Sequence, residues 1–175
     1  MPVLSDEARL TVSDDDGLLG LVDHFAYRAF VSEDWTLEQL LSHFNDEMAQ
    51  SRILVWDCGD GGDNYRIQVR NRITSQRGFR EVVGGLIVTK GVLLVSSYTA
   101  LTMAAQFEDE RLPGTGEAEQ LIEVAPGGYR VRVVQMYDPA SLAAPAEDSP
   151  HFLLELEPGN CEPWSRVAWL SAGSE

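Results

Sequence analysis

Basic residues are scarce in this chain: 13 lysines and arginines face 28 aspartates and glutamates over 175 residues, a formal net charge of -15. A surface of that sign opposes general binding to nucleic acid or to anionic membranes, because phosphate affinity comes mainly from lysine and arginine. Cysteine is nearly absent. Cys58 and Cys161 cannot build a disulfide framework, and two reduced thiols fit a cytoplasmic protein. The opening MPVLSDEARLTVSDDDG has neither the basic nor the apolar region of a secretory signal. No apolar run approaches the roughly 20 residues of a membrane span. The three histidines, His24, His43 and His151, lack metal-ligand spacing, and neither HExxH nor a GxSxG elbow occurs. No metal, cofactor or catalytic residue is nominated.

What is present suits a globular chain. Hydrophobic residues make up 44% and charged residues 23%, and 175 residues suffice for one domain, 1–175, around a single core. The charge is uneven. Residues 1–50 carry eleven acids and two bases, 51–100 four acids and seven bases, and 101–175 thirteen acids and four bases. The middle third is a basic island in an acidic protein.

Alternation dominates the secondary-structure signal. ARLTV (8–12) and LLGLVDHFAYRAFV (18–31) flank the turn residues SDDDG and predict a hairpin. In EDWTLEQLLSHFNDEMAQ, Leu37, Leu40, Leu41, Phe44 and Met48 share one helical face, and Thr36 and Gln39 have capping-box spacing. This predicts one amphipathic helix packed on a sheet. RILVW (52–56) and YRIQVRNRI (65–73) read as strands, the second placing Tyr65, Ile67, Val69 and Ile73 on one face and Arg66, Gln68, Arg70 and Arg72 on the other. LIVTKGVLLVSS (86–97) predicts a hairpin turning at Lys90 and Gly91. SYTALTMAAQF (97–107) fits a strand or a short helix. LIEV, YRVRVVQMY and HFLLELE complete the strands, and 108–119 and 138–150 read as exposed loops. GGDNYRIQV and GGYRVRV echo one another, each after an apolar strand, with Tyr65 and Tyr129 at matching positions. The expected fold is mainly β within the α+β class: an antiparallel β-sandwich built of hairpins with one packed helix.

The stretch WDCGDGGDNY holds three aspartates and a cysteine. An EF-hand count from Asp57 meets Gly59, Gly61 and Gln68 where oxygen ligands belong, and a dinucleotide count meets Asn64 and then a strand. A glycine and aspartate turn is the reading that fits. A loose cation site on Asp57, Asp60 and Asp63, or contact with a partner, are the functional alternatives. Cys58 beside those acids reads as an inert thiol. The arginine row Arg66, Arg70 and Arg72, continued by Arg77 and Arg80, reads as cross-strand charge pairing, with a phosphate surface as the alternative.

The series RILVW, Gly/Asp turn, YRIQV, then VTKGVLLV, then APGGYRVRVVQMYD resembles small bacterial β-sandwich proteins of the competence-associated nuclease-inhibitor and toxin-immunity type, over residues 52–138. The resemblance implies a non-catalytic cytoplasmic inhibitor or immunity-type binder and carries no binding residue across. Charge agrees, since an acidic surface steers onto a basic partner. The partner contacts nominated are Asp14, Asp15 and Asp16, Asp57, Asp60 and Asp63, and Glu108, Asp109 and Glu110. The alternative function is a small-molecule or carbohydrate-binding sandwich, with or without hydrolase activity, whose concave face is lined by Trp56, Tyr65, Arg66, Arg70 and Arg72.

Overall fold

A computed structural model describes residues 7–141, 143 and 145–170. The opening segment 1–6 and residues 142 and 144 of the predicted 138–150 loop lie outside the described residues. Nine strands form two sheets. The larger runs β1 (Glu7–Asp14), β4 (Asp63–Arg70), β9 (Phe152–Pro158), β8 (Gly127–Gln135), β5 (Arg80–Val88). The smaller runs β3 (Ile53–Asp57), β2 (Leu18–Val22), β6 (Val92–Ser97), β7 (Leu121–Glu123). Helices α1 (Leu37–Ala49) and α2 (Tyr98–Gln106) cover the outer side of the smaller sheet. Among the described residues no helix is long and apolar enough to cross a membrane.

The layering explains the two kinds of strand in the sequence. The smaller sheet is buried on both faces: Leu19, Leu21, Leu54 and Trp56 point into the sandwich, while Val22, Ile53, Val55 and Leu94 meet Leu40, Phe44, Met48 and Leu101 of the helices. Its strands accordingly read as unbroken apolar runs. The larger sheet packs its apolar face on the smaller one and carries polar residues on the other, so β4 and β8 alternate: Tyr65, Ile67, Val69, Tyr129, Val131 and Val133 face inward and arginines lie on the outer face. Helix α1 begins as its sequence predicts, with Thr36 Oγ1 accepting from the Gln39 N–H and Gln39 Oε1 accepting from the Thr36 N–H. Leu40, Phe44 and Met48 are buried, Leu41 is half-buried and Leu37 is exposed.

The sandwich is as expected, but its short connections are corners and not hairpins. Strand β1 pairs with β4, so Asp15–Gly17 carries the chain from the larger sheet into the smaller one. The Gly/Asp stretch 58–62 carries it back, and Thr89–Gly91 crosses again between β5 and β6. Strand β4 stops at Arg70, so Ile73 leaves the sheet with 71–79. The ambiguous segment 98–106 is helix, because Ser97 Oγ accepts from the Ala100 N–H and stops the strand.

The echo in the sequence marks a repeated unit. Strands β1–β2–α1–β3–β4 and β5–β6–α2–β7–β8 follow one plan: first and last strand paired antiparallel in the larger sheet, the middle two in the smaller. The first corner of each unit ends in a left-handed glycine, Gly17 at φ 79° and Gly91 at φ 78°. In each unit that glycine's carbonyl accepts from the end of the third strand, Cys58 N–H at 2.7 Å and Val124 N–H at 3.0 Å. The central antiparallel pair β2–β6 joins the units. Related in this way, β4 and β8 run in opposite directions, so β9 inserted between them must be parallel to β4 and antiparallel to β8, as it is. The closing segment seals the far edges. Gly85 N–H donates to Glu162 O, Trp164 Nε1 to Val83 O, and Ala168 N–H to Val55 O, covering β5 and β3 against edge pairing. A side chain at Gly84 or Gly85 would collide with Trp164 or with the Cys161 carbonyl.

Candidate functional site

Two of the three nominated acidic groups meet at one end of the sandwich, where the 15–17 and 58–62 corners lie against each other: a Cβ on Gly17 would strike the Asp60 carbonyl, and one on Gly62 the Asp14 carbonyl. Their roles divide sharply. Asp14 is buried and holds the corner: Oδ2 accepts from Asp16, Gly17 and Leu18 N–H and Oδ1 from Tyr98 N–H at 2.9 Å, the first residue of α2. It is a structural anchor and leaves the list of contacts. Asp60 is engaged as well, accepting from the hydroxyls of Tyr65 and Tyr137 and from Gly62 N–H. Asp57 closes its own turn on Gly59 N–H. Asp15 and Asp16 are exposed, and Asp63 is exposed, with Oδ2 3.5 Å from His151 Nε2. Among the described residues no group of three or more His, Cys, Asp and Glu side chains is arranged to hold a metal ion. The 57–63 carboxylates are spent on hydroxyls and backbone N–H groups.

Beneath these loops lies a buried polar cluster. Cys58 is fully buried; desolvation pushes its thiol up, and Asp60, Asp14 and Asp57 add to the rise against a hydrogen bond from Tyr65. A thiol held protonated is a poor nucleophile. His151 is also buried, edge-on to Tyr65 and Tyr137. Its Nδ1 accepts from the Arg66 N–H at 2.9 Å, which fixes the proton on Nε2, facing Asp63. Burial and then the Arg66 charge lower its pKa, against Asp63 and Asp60. Both groups are locked into packing.

Three members of the arginine row, Arg66, Arg70 and Arg80, are absorbed by the fold. Across the outer face of the larger sheet runs a ladder Glu7–Arg70–Glu155–Arg132–Glu81: Arg70 lies 3.8 Å from Glu7 and 3.0 Å from Glu155, and Arg132 lies 2.7 Å from Glu155 and 2.6 Å from Glu81. Register puts the first four on neighbouring strands side by side. Segment 71–79 covers the ladder, Thr74 donating to Glu155 through N–H and Oγ1. Burial raises the Glu155 pKa, but Thr74, Arg132 and Arg70 outweigh it and the net shift is downward. Arg66 instead braces the 138–150 loop, donating to Ser149 O and Ala146 O. Arg80 lies over Trp169 at 4.5 Å and donates to Gln135. Trp56 and Tyr65 are fully buried between the sheets, while Arg66 and Arg70 point away on the outer face. The five residues of the alternative ligand site therefore line no common face, and that site is not formed.

Sequence reasoning missed Arg132, Glu155 and Glu81, and also the buried Glu117, which accepts from Ser96, Ser97, Gly114 and Gln120 and pins the turn before β7. The third acidic group, Glu108–Glu110, is exposed beyond the end of α2, at the other end of that helix from Asp14.

No family model and no curated protein matches the chain. Two solved structures share its fold. One is described as crocagin biosynthetic gene J, 14% identical, with a TM-score of 0.61 over 89% of this chain and 98% of that one. The other is ComJ, inhibitor of the DNA degrading activity of NucA, from Bacillus subtilis, 8% identical, with a TM-score of 0.50 over 87% of this chain and 96% of that one. The resemblance to the nuclease-inhibitor type, expected over 52–138, thus extends to nearly the whole chain as a likeness of fold.

Proposed function

We propose that this chain is a non-catalytic cytoplasmic module of inhibitor or immunity type that binds a basic protein through exposed acidic surface. One observation carries the reading. Arg70 and Arg132 are paired with Glu155 and Glu81, Arg66 donates to backbone carbonyls, and Arg80 lies over Trp169. Asp15, Asp16, Glu108, Asp109 and Glu110 stand exposed, and none of their carboxylates has an intramolecular partner among the described residues. With a net charge of -15 the outward field is acidic, which speeds and orients encounter with a basic surface. The fold shared with ComJ, an inhibitor of a nuclease's activity by its description, supports the same class.

The test is affinity capture from a native lysate at low salt, followed by quantitative binding to the captured protein. The reading expects a basic partner whose affinity falls steeply as salt rises, because screening weakens exposed charge pairs. Reversing Asp15, Asp16 and Glu108–Glu110 together should lower affinity at least tenfold. Affinity indifferent to both salt and reversal would sink the charge-driven reading.

A further inference from the structure

Among the described residues, four of the seven large hydrophobic side chains that are exposed lie in two segments, Phe25 and Phe30 in one, Met103 and Phe107 in the other, each about 40% exposed or more. The segments are tied together: the N–H groups of Val31 and Ser32 both donate to Ala105 O, at 2.8 and 3.1 Å. Between them opens a groove of about 410 Å³, walled by His24, Arg28 and Phe30 on one side and by Glu108, Glu110 and Arg111 on the other. Phe25 stacks on His24 at its edge. Phe30 lines the groove, and Phe25, Met103 and Phe107 stand exposed on the two segments that flank it; aromatic and methionine side chains exposed on adjoining segments are what a binding surface presents and a monomer's ordinary surface scatters. The remaining three exposed hydrophobics, Leu37, Phe79 and Ile87, fall outside these segments.

The charge around the patch selects its occupant. Residues 28–34 and 107–111 hold five acids, Glu33, Asp34, Glu108, Asp109 and Glu110, against Arg28 and Arg111, and Arg111 is already turned back onto the Glu108 carbonyl at 2.8 Å. The groove itself is lined by Glu108 and Glu110 with Arg28 and Arg111, and the excess acid of the two flanking segments disfavours an anionic lipid surface or a nucleic acid. Apolar side chains on acidic segments complement apolar side chains framed by lysine and arginine. Resting on the protein-binding reading above, we propose that the groove between residues 24–30 and 108–112, with Phe25, Phe30, Met103 and Phe107, is the docking surface for a basic amphipathic segment of the partner protein. The aromatic anchors supply retention and the acids supply sign and approach.

A synthetic amphipathic helix of about five turns, leucine and phenylalanine on one side and lysine and arginine on the other, serves as probe. Its binding is followed by fluorescence anisotropy and mapped by amide chemical shifts. The expected result is saturable binding with shifts confined to 24–34 and 102–112, weakened at least tenfold by Phe30→Ser with Phe107→Ser and at least tenfold by replacing the probe's apolar residues with alanine. Both phenylalanines are exposed, so an unchanged melting temperature will show that the double variant is folded. Three results would overturn the surface: no binding, equal binding of the alanine probe, or shifts at Asp15, Asp16 and Asp63 instead. Self-association of the chain that buries Phe30 and Phe107 would overturn it too, by making a second copy the occupant. If this surface fails while salt-sensitive capture from lysate persists, the protein-binding reading survives; if capture is also lost, both fall.

Discussion

Glu155 is the residue on which the larger sheet's outer face turns. It is fully buried, yet it sits among Arg70 and Arg132, whose side chains are only 13% and 5% exposed. Deleting one member of such a group leaves buried charge unpaired, at a cost of about 3–5 kcal/mol. Here Glu155→Leu removes a partner of Arg70 at 3.0 Å and of Arg132 at 2.7 Å and strips the acceptor from Thr74 N–H at 3.1 Å. Arg132 retains Glu81, which is half exposed, whereas Arg70 keeps a hydrogen bond to Gln76 Oε1 at 2.9 Å and a more distant carboxylate, Glu7 at 3.8 Å. The expected loss is therefore about 3–5 kcal/mol, a urea midpoint lower by about 2 M for an m-value near 2 kcal/mol/M. The triple change Arg70→Met, Glu155→Leu, Arg132→Met removes the charges together and should recover most of that loss, because a buried ionic group is often matched by an apolar one of similar volume. The pH dependence has a definite sign. Glu155 has its pKa depressed by folding, so its contribution is complete above the unfolded carboxylate value, about 4.3, and is lost as pH falls through the lower folded value. Urea melts of wild type, single and triple variants across pH 3–7 decide the matter. A loss under about 1 kcal/mol for Glu155→Leu, or a triple variant no better than the single, would refute the ladder as a coupled unit.

Other outcomes follow from the same reasoning. Asp14→Ala should cost about 2–4 kcal/mol in chemical denaturation, since four backbone N–H groups lose one acceptor, whereas Asp14→Asn, which keeps one oxygen, should cost less. His151 has a lowered folded pKa, so below the unfolded value of about 6.5 the unfolded chain takes up a proton that the folded chain refuses, and stability should fall with pH from there until the folded value is reached. The pH dependence of unfolding should lose that slope in His151→Gln, and nitrogen NMR should show the proton on Nε2. In thiol titration of the native protein Cys161, half-exposed, should react at once and buried Cys58 only on unfolding; simultaneous reaction would contradict the burial of Cys58.

Local chemistry was legible in the residues, and partnership was not. Thr36 and Gln39 declare a helix start whose determinants lie three residues apart, and the stripe Leu40, Phe44, Met48 declares its buried side. The alternation of YRIQV and YRVRV declares one buried face. Which strand pairs with which depends on long-range packing. A glycine with φ near 80° serves a hairpin and a cross-sheet corner equally well, so SDDDG and TKG read as hairpins although their flanking strands lie in different sheets. The ladder was hidden for the same reason. Arg70 and Glu155 are 85 residues apart, and only the parallel pairing of β4 with β9 brings them together. Glu155 stands in the sequence as one polar residue among leucines, with nothing local to distinguish it from a solvent-facing position.

The repeated unit gives a control for whether acids at the corners make turns or meet partners. Corner Asp15–Asp16–Gly17 and corner Thr89–Lys90–Gly91 do the same geometric work, with the same glycine conformation and the same bond from the third strand to the glycine carbonyl. The second achieves it with threonine and lysine, so the geometry does not require carboxylates at Asp15 and Asp16. Asp14 differs, because its oxygens are saturated by backbone donors. Transplanting the second corner, Asp15→Thr with Asp16→Lys, should leave stability within about 0.5 kcal/mol, as for exposed substitutions away from structural features. It should slow association with the basic partner several-fold at low salt while leaving dissociation nearly unchanged, because acids away from the docking groove act through the field and not through contact. Stopped-flow binding and urea melts measure the two effects separately. A loss of stability above 1 kcal/mol would make these acids part of the turn, and an unchanged association rate would remove them from the steering surface.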